Sequence, residues 1–146
     1  MIAIINGPNL NLLGKRQKDI YGSASFEEFL RELRRRFPDL PIEYYQSNSE
    51  GEIIDKIHQL GYDDPQCGGL VINPGAYSHY SYAIADAIAS IDLPVIEVHV
   101  SNIMCRENFR QVSVTANACQ GIIAGFGLEG YAMAIDFLKN SQSNVE

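Results

Sequence analysis

The sequence predicts an α/β fold with a doubly wound parallel sheet of five strands, contained in one domain over residues 1–146. Five short apolar runs alternate with longer segments of helical period, which is typical of parallel strands joined by crossover helices. A chain of 146 residues can bury roughly 68–70% of the surface that it exposes when unfolded, so one core suffices. The predicted strands cover residues 2–5, 42–45, 69–72, 95–98 and 121–124.

Capping patterns mark the starts of the first two predicted helices. Ser25 precedes Glu28 by three residues, and Ser49 precedes Glu52 in the same way, which is the spacing of a capping box. Gly61 follows the second of these helices, at the position where a left-handed residue would close it.

Two further helices are predicted in the second half of the chain. One covers residues 77–90, after the Asn-Pro-Gly turn at residues 73–75, and the other covers residues 127–139. The polar residues 141–146 are expected to form a disordered tail.

Charge, cysteine content and hydropathy exclude several classes of protein. A net charge of −7 argues against nucleic-acid binding, because phosphates require a basic surface. The arginines within residues 31–36 lie among glutamates at helical spacing, which indicates a solvated, ion-paired face. Three cysteines without a C-x-x-C spacing suggest neither disulfides nor a thiolate zinc site. This cysteine content is typical of the reducing cytosol, so we expect a cytoplasmic protein. No apolar run reaches the roughly 20 residues that cross a bilayer, so we expect no membrane partner.

The first candidate functional segment is the loop after the first predicted strand, over residues 6–22. It reads NGPNLNLLGKRQKDIYG and presents amide, guanidinium and phenol groups with little to bury. Loops of this length without secondary structure are uncommon, and those that occur often carry function. An ordinary surface loop is the alternative interpretation.

The second candidate segment follows the fourth predicted strand. Glu97, His99 and Ser101 occupy alternate positions and are followed by Arg106 and Arg110. Side chains two positions apart on a strand point to the same face. An acid, an imidazole and a hydroxyl are therefore predicted to lie together at one strand end.

These two segments should meet at one edge of the sheet. In a doubly wound sheet, ligands bind beyond the carboxyl ends of the strands. The segments that follow Ile5, Ile72 and Val98 all lie at that edge, which places Asn73 beside both candidate segments.

Five sequence blocks, spread over nearly the whole chain, resemble those of the type II 3-dehydroquinate dehydratases. They are NGPNLNLLG from Asn6, QSNSEG from Gln46, INPGAY from Ile72, PVIEVHVSN from Pro94 and GFGLEGY from Gly125. The resemblance implies a flavodoxin-like fold, no cofactor and a dodecamer built from trimers. It also implies conversion of 3-dehydroquinate to 3-dehydroshikimate and water through an enolate, in the shikimate pathway of aromatic biosynthesis.

By this resemblance, Tyr21 is the base that removes the carbon-bound proton, and Arg16 activates it. An unperturbed phenol has a pKa near ~10, and lowering it by about two units requires roughly 2.7 kcal/mol. A guanidinium about 4 Å away offers roughly 4 kcal/mol at an effective dielectric constant of about 20. One arginine therefore suffices in principle. The alternative role for Tyr21 is an aromatic anchor of the loop.

The resemblance makes His99 the acid that protonates the departing hydroxyl. An unperturbed imidazole titrates near neutral pH, which suits this task. Glu97, on the same side of the strand, can bias this imidazole or a nearby arginine. Asn73 is expected by resemblance to orient a water toward the enolate oxygen. A structural histidine and a simple turn asparagine are the alternatives.

Substrate contacts are also implied by the resemblance. The backbone amides of Val100 and Ser101 should hold the substrate carboxylate. Arg110, His79 and Asn9 should contact its hydroxyls or order the loop.

Two further positions each have more than one candidate role. Arg106 is a candidate substrate contact that could instead pair with Glu97 or hold the segment after its strand. Asp86 is implied to reach into the neighbouring subunit's site within a trimer, and an exposed helix carboxylate is the alternative. Three nearby tyrosines could line that interface, namely Tyr77, Tyr80 and Tyr82.

Gln17 and Lys18 depart from the family pattern, which usually reads Arg-Glu-Pro from the activating arginine. Loss of the proline frees the backbone. We therefore expect looser loop closure and weaker substrate binding, with the chemistry retained.

Other classes remain as alternatives to this interpretation. A metal hydrolase could use His79, Glu97 and His99, and retained activity in a chelator would exclude it. A Schiff-base dehydratase would need a lysine in the pocket, for which Lys15 and Lys18 are the loop candidates. A scaffold without catalysis could keep the blocks for assembly alone. A flavin-binding module is disfavoured because residues 6–14 contain no serine or threonine.

Overall fold

A computed structural model describes residues 1–21 and 23–143, without the side chains of residues 20, 21 and 143. One sheet of five parallel strands has the order β2-β1-β3-β4-β5, so the predicted fold class is confirmed. Four strands extend one residue further than predicted. The strands are β1 (Ile2–Asn6), β2 (Ile42–Gln46), β3 (Gly69–Asn73), β4 (Val95–His99) and β5 (Gly121–Ala124).

Helices cover both faces of this sheet. They are α2 (Phe26–Arg36), α3 (Glu50–His58), α4 (Tyr82–Ala89) and α5 (Glu129–Ser143), and the short helix α1 (Lys18–Tyr21) belongs to the loop after β1. Successive residues of β1 alternate between two apolar cores, as expected for a strand buried on both faces. Ile2 and Ile4 pack with residues of α2 and α5, while Ala3 and Ile5 pack with residues of α3 and α4.

Local capping explains where α2 and α3 begin. Both bonds of the predicted capping box are present between Ser25 and Glu28. Ser49 accepts a hydrogen bond from the Glu52 amide at 3.3 Å, but the Glu52 carboxylate contacts the hydroxyl of Ser47. The second box is therefore only half formed.

The arginines of α2 are exposed, as predicted. Arg36 forms its ion pair with Glu129 of α5, with the closest atoms 2.7 Å apart. The partner of this ion pair thus comes from a neighbouring helix, and Glu32 of α2 adds only a weaker electrostatic attraction to Arg36.

The prediction of one helix over residues 77–90 was wrong. The chain forms a 3-10 segment over Gly75–His79, followed by α4. The Ser78 hydroxyl donates to the carbonyl of Gly75 at 2.8 Å, and the Ser81 hydroxyl accepts from the Ile84 amide at 3.0 Å. These side-chain bonds end the first segment and cap a new helix.

Gly61 does not have the predicted left-handed conformation. It lies in a π-helical turn over Gln59–Asp63. A Cβ atom at this position would lie 2.2 Å from Cγ2 of Ile91. The glycine therefore permits close packing and does not terminate the helix.

The C-terminal helix is longer than predicted. It continues to Ser143, so residues 141–143 are helical, where a disordered tail was expected. The Ser141 hydroxyl donates to the carbonyl of Phe137 one turn earlier, at 2.9 Å. Residues 144–146 lie outside the described residues. Across the described helices, none combines the length and apolar character needed to cross a membrane.

Candidate active site

A cleft of about 180 Å³ opens at the carboxyl ends of β1, β3 and β4. This is the point at which the strand order reverses direction, where doubly wound folds bind ligands. The two candidate segments and Asn73 meet here. The cleft is lined by eight of the predicted site residues, namely Asn9, Arg16, Asn73, His79, His99, Ser101, Arg106 and Arg110.

Glu97 and His99 form a buried pair on one side of β4. Glu97 Oε2 lies 2.9 Å from His99 Nε2, and Glu97 is completely buried. A carboxylate accepts hydrogen bonds, so Nε2 carries a proton toward Glu97. Nδ1 is therefore the ring nitrogen that remains for the cleft.

Two hydroxyl groups complete the surroundings of Glu97. Ser113 Oγ donates to Glu97 Oε2 at 2.6 Å, and Thr115 Oγ1 donates to Oε1. Ser113 Oγ also accepts from the Ala116 amide at 3.1 Å, and because a carboxylate oxygen only accepts, the Ser113 proton is directed to Glu97. Both oxygens of the buried Glu97 carboxyl group therefore have hydrogen-bond donors. Sequence reasoning missed both hydroxyl residues, and their alternate spacing was the only available signal.

The thiol of Cys119 lies close enough to Glu97 for its pKa to be affected by that carboxylate. Burial and the charge of Glu97 raise the pKa of Cys119 to about 12. This thiol therefore stays neutral at physiological pH.

Asn73 ends β3 and contacts the start of α5. Its Nδ2 donates to the hydroxyl of Tyr131 at 3.0 Å, and its Oδ1 accepts from the Gly75 amide at 3.1 Å. The Tyr131 hydroxyl in turn donates to Oδ1 of Asn6, the last residue of β1, at 2.7 Å. Tyr131 is the last residue of the block that begins at Gly125, but nothing in that block indicated a contact with Asn73.

The first loop is held by the sequence block that begins at Gln46. Asn9 has a φ of 68°, a left-handed conformation that asparagine tolerates better than most residues. Its amide donates to Oδ1 of Asn48 at 3.0 Å, and Gln46 Nε2 donates to the carbonyl of Gly7 at 3.2 Å. Gln46 and Asn48 therefore hold the backbone of the loop after β1, which lines the cleft.

The cleft has a concentration of positive charge in an acidic protein. Arg16, Arg106 and Arg110 all line it. Arg110 Nε donates to Glu107 Oε2 at 2.8 Å, and Arg106 Nε lies 4.0 Å from the same oxygen. Glu107 thus holds the Arg110 guanidinium beside the cavity, and three arginines at one cleft suit an anionic ligand.

His79 stacks near His99, with ring centroids 6.4 Å apart and an interplanar angle of 19°. Its Nδ1 lies 2.8 Å from the carbonyl oxygen of Val112. A carbonyl only accepts hydrogen bonds, so Nδ1 carries the proton and Nε2 is the acceptor of the neutral ring.

The turn after β4 is anchored by the glycines of the last sequence block. The Gly125 amide donates to the carbonyl of His99 at 3.2 Å, and the Gly127 amide donates to that of Val100 at 3.0 Å. Gly125 has a φ of 92°, and a Cβ there would lie 3.0 Å from Cβ of Asn102. This block therefore positions residues 99–102, where Val100 is buried and Ser101 reaches the cleft.

Several predicted residues lie elsewhere. Tyr21 belongs to α1, but its side chain lies outside the described residues. Asp86 is exposed on α4, away from the residues that line the cleft of its own chain. Lys15 and Lys18 are exposed and are not among the lining residues. Glu97 has His99, Ser113 and Thr115 as its described hydrogen-bond partners, and the alternative pairing of Arg106 with Glu97 stays a prediction.

The acidic and histidine residues near the cleft do not group as metal ligands. Within the described part of the chain, no set of three or more His, Cys, Asp or Glu side chains could hold a metal ion.

Comparison with known proteins extends over almost the full chain. The family model for dehydroquinase class II matches residues 1–139. A 3-dehydroquinate dehydratase of Caldicellulosiruptor bescii is 54% identical over 140 residues, which cover 94% of this chain and 95% of that protein. A 3-dehydroquinate dehydratase of Clostridium botulinum is 54% identical over 142 residues, covering 96% and 95%.

Solved structures agree with this assignment. The type II dehydroquinase from Butyrivibrio crossotus superposes with a TM-score of 0.90 at 51% identity, covering 94% of this chain and 96% of that one. The type II dehydroquinase from Propionibacterium acnes gives a TM-score of 0.88 at 42% identity, covering 94% of each chain. With these matches over nearly its full length, the chain belongs to the class II dehydroquinase family.

Proposed function

We propose that this chain is a single-domain hydro-lyase that converts 3-dehydroquinate to 3-dehydroshikimate and water in aromatic biosynthesis. The observation that carries this proposal is the buried Glu97–His99 pair, which faces a cleft lined by three arginines. Membership of the class II dehydroquinase family supports the same reaction. The substrate is a carboxylate, and the positive charge of the cleft matches it.

The first chemical step is removal of a proton from the carbon next to the ketone. Tyr21 acts as the base in its phenolate form, and Arg16 at the cleft provides the positive charge that favours this form. The electrons of the broken C–H bond move into the carbonyl, which gives an enolate. Asn73 stabilises the negative oxygen by donating to it or to a water that contacts it.

The second step breaks the carbon–oxygen bond of the leaving hydroxyl. The enolate electrons form the carbon–carbon double bond, and the departing oxygen takes a proton from Nδ1 of His99 to leave as water. The charged Glu97 holds Nε2 and stabilises the imidazolium form that precedes this transfer. Ser113 and Thr115 keep Glu97 oriented through their hydroxyl protons.

The turn after β4 and the side chains around the cleft bind and position the substrate. The backbone amides of Val100 and Ser101 bind the carboxylate. Contacts to the ring hydroxyls come from the polar side chains around the cleft, namely Asn9, His79, Arg106 and Arg110.

Assembly into trimers, and of four trimers into a dodecamer, is also part of the proposal. Asp86 is exposed on α4 and does not line its own cleft, which suits a role in the site of a neighbouring subunit. Tyr80 and Tyr82 are exposed by 59% and 70% and provide apolar surface beside it. Light scattering during size-exclusion chromatography should give twelve times the mass of the chain, and a monomeric mass would contradict this part.

Ultraviolet absorbance after addition of 3-dehydroquinate tests the activity, because the conjugated enone of the product absorbs where the substrate does not. The parent protein should produce a rise, whereas Tyr21→Phe and His99→Ala should produce little or none while melting at a similar temperature. The absence of a rise with folded parent protein would refute the proposal.

The same assay separates the alternative mechanisms. Loss of activity in a chelator would favour the metal hydrolase, and inactivation by borohydride in the presence of substrate would favour a Schiff base on Lys15 or Lys18. We expect neither treatment to change the rate.

A further inference from the structure

We propose that Tyr131 is a positioning residue, which together with the Gly75 amide holds the Asn73 side-chain amide so that an N–H group faces the cleft. This inference rests on the proposed role of Asn73 beside the enolate oxygen. It adds to that role a residue on α5 that makes no contact with the cleft itself.

The geometry places Tyr131 between the ends of two strands. Asn6 and Asn73 are register partners at the carboxyl ends of β1 and β3. The hydroxyl of Tyr131 lies 3.0 Å from Asn73 Nδ2 and 2.7 Å from Asn6 Oδ1. Tyr131 is completely buried, so no solvent competes for these bonds.

The direction of each hydrogen bond follows from one backbone group. The Gly75 amide can only donate, and it lies 3.1 Å from the side-chain oxygen of Asn73. The nitrogen of Asn73 must therefore face Tyr131, whose oxygen accepts. The phenol proton is then directed to Asn6 Oδ1. One N–H bond of the Asn73 amide is left, and Asn73 lines the cleft.

The ring of Tyr131 cannot turn away from this arrangement. Its centroid lies 5.0 Å from that of Phe26 and 6.2 Å from that of Phe29, both in edge-to-face contact. Burial raises the pKa of Tyr131, so the hydroxyl keeps the proton that it donates to Asn6.

A purely structural role explains this network poorly. Asn6 is fully buried, and its Nδ2 makes no hydrogen bond of good geometry within the described residues, only a weaker approach to the hydroxyl of Tyr44. An apolar side chain at position 6 would avoid that unsatisfied group. The functional benefit is orientation, since a reversed Asn73 amide would present its oxygen to a developing negative charge and would raise the barrier.

Steady-state kinetics of Tyr131→Phe, Asn73→Ala and the double variant test the inference. Loss of an oxyanion donor lowers kcat by roughly 10²–10³-fold. If the Asn73 amide remains but is held less firmly, kcat should fall by a smaller factor. We expect Tyr131→Phe to lower kcat about tenfold with KM changed less than about twofold. In the Asn73→Ala background, the same substitution should change kcat by less than about twofold, because the residue through which it acts is gone. Tyr62→Phe is the matched control, since its hydroxyl bonds to the carbonyl of Ser90 away from the cleft.

The outcomes separate this inference from the proposed function. An unchanged kcat in folded Tyr131→Phe, with only a lower melting temperature, would overturn the inference, as would a full additional loss in the double variant. If Asn73→Ala itself kept the parental kcat, the proposed role of Asn73 would fail instead.

A second variant keeps the test decisive if Tyr131→Phe does not fold. Asn6→Ala leaves the phenol in place but frees its proton from Asn6. The phenol proton can then turn toward Asn73 Nδ2, which loses its acceptor on Tyr131. We therefore expect kcat to fall with KM unchanged. An unchanged kcat in this variant would overturn the inference.

Discussion

The carboxylate of Glu97 accepts a hydrogen bond from Nε2 of His99 at 2.9 Å, and both side chains are exposed by 7% or less. They lie two residues apart on β4, so the pleat of the strand points both to the same side. This bond determines which ring nitrogen is left for the cleft. Hydroxyls from the segment before β5 then hold the carboxylate from the other side.

Replacing Glu97 by glutamine should lower kcat by roughly 10²–10³-fold with little change in KM. The neutral amide cannot stabilise the imidazolium form of His99, although it occupies the same space. Steady-state kinetics with 3-dehydroquinate would measure this. Glu32→Gln, on the exposed side of α2, is the control and should keep the parental kcat. A kcat within twofold of the parent for Glu97→Gln would contradict the proposed mechanism.

Thr115→Val should reduce both stability and activity, because it removes a donor to the buried Glu97 carboxylate. Loss of one hydrogen bond to a charged group costs about 1.5–3 kcal/mol of unfolding free energy. Urea denaturation and kinetics would measure the two effects. Thr115→Ser keeps the hydroxyl and should restore most of the activity. Equal kcat values for the valine and serine variants would show that the hydroxyl is not needed.

Gly7→Ala should destabilise the protein by about 1–3 kcal/mol, the usual cost of overpacking, and should lower kcat. A Cβ at this position would lie 2.5 Å from the carbonyl oxygen of Pro74, so the loops after β1 and β3 would have to separate. Gly51→Ala is the matched control, because its Cβ has a single neighbour at 3.9 Å. In the first turn of α3 it should stabilise the fold by about 0.4–1 kcal/mol. Urea melts that give both substitutions the same sign would refute this account.

Restoring the family pattern with Gln17→Glu and Lys18→Pro should lower KM and leave kcat nearly unchanged. Gln17 has a φ of 46°, which is a left-handed conformation. A proline at position 18 would disfavour it, because the residue before proline is pushed toward an extended conformation. Lys18 is the first residue of α1, a position that accepts proline. Proline should therefore hold the loop in fewer conformations. Unchanged kinetic constants would contradict the predicted looseness of the parental loop.

The ion pair between Arg36 and Glu129 should make a small contribution to stability that depends on pH. Two hydrogen bonds from Arg36, at 2.9 and 2.7 Å, hold the pKa of Glu129 below its usual value. A carboxyl group with a lowered folded-state pKa stabilises the fold above its unfolded-state pKa, and this contribution is lost as the pH falls through the folded value.

Because both side chains are substantially exposed, Glu129→Gln should cost less than about 1 kcal/mol at pH 7. That cost should vanish in acid and shrink in high salt. Urea denaturation at pH 7 and at acid pH would measure it, with Glu27→Gln as the control. A cost that did not change with pH would rule out the electrostatic explanation.

The sequence by itself determined the strands, the class of fold and the edge of the sheet that holds the site. Apolar runs of four residues and capping pairs such as Ser25 with Glu28 involve residues that are close together in the sequence. Such patterns can therefore be read from the sequence without knowledge of the packing. The spacing of Glu97 and His99 on one strand likewise predicted a neighbouring pair, because the strand repeat is two residues.

The tertiary structure alone decided which distant side chains complete that site. Thr115 reaches Glu97 and Tyr131 reaches Asn73 only because β5 and α5 pack beside β4 and β3. The break at Ser81 and the role of Gly61 depended in the same way on specific partners. A hydrogen bond between residues far apart in the chain has no periodicity in sequence, so packing had to bring its donor and acceptor together.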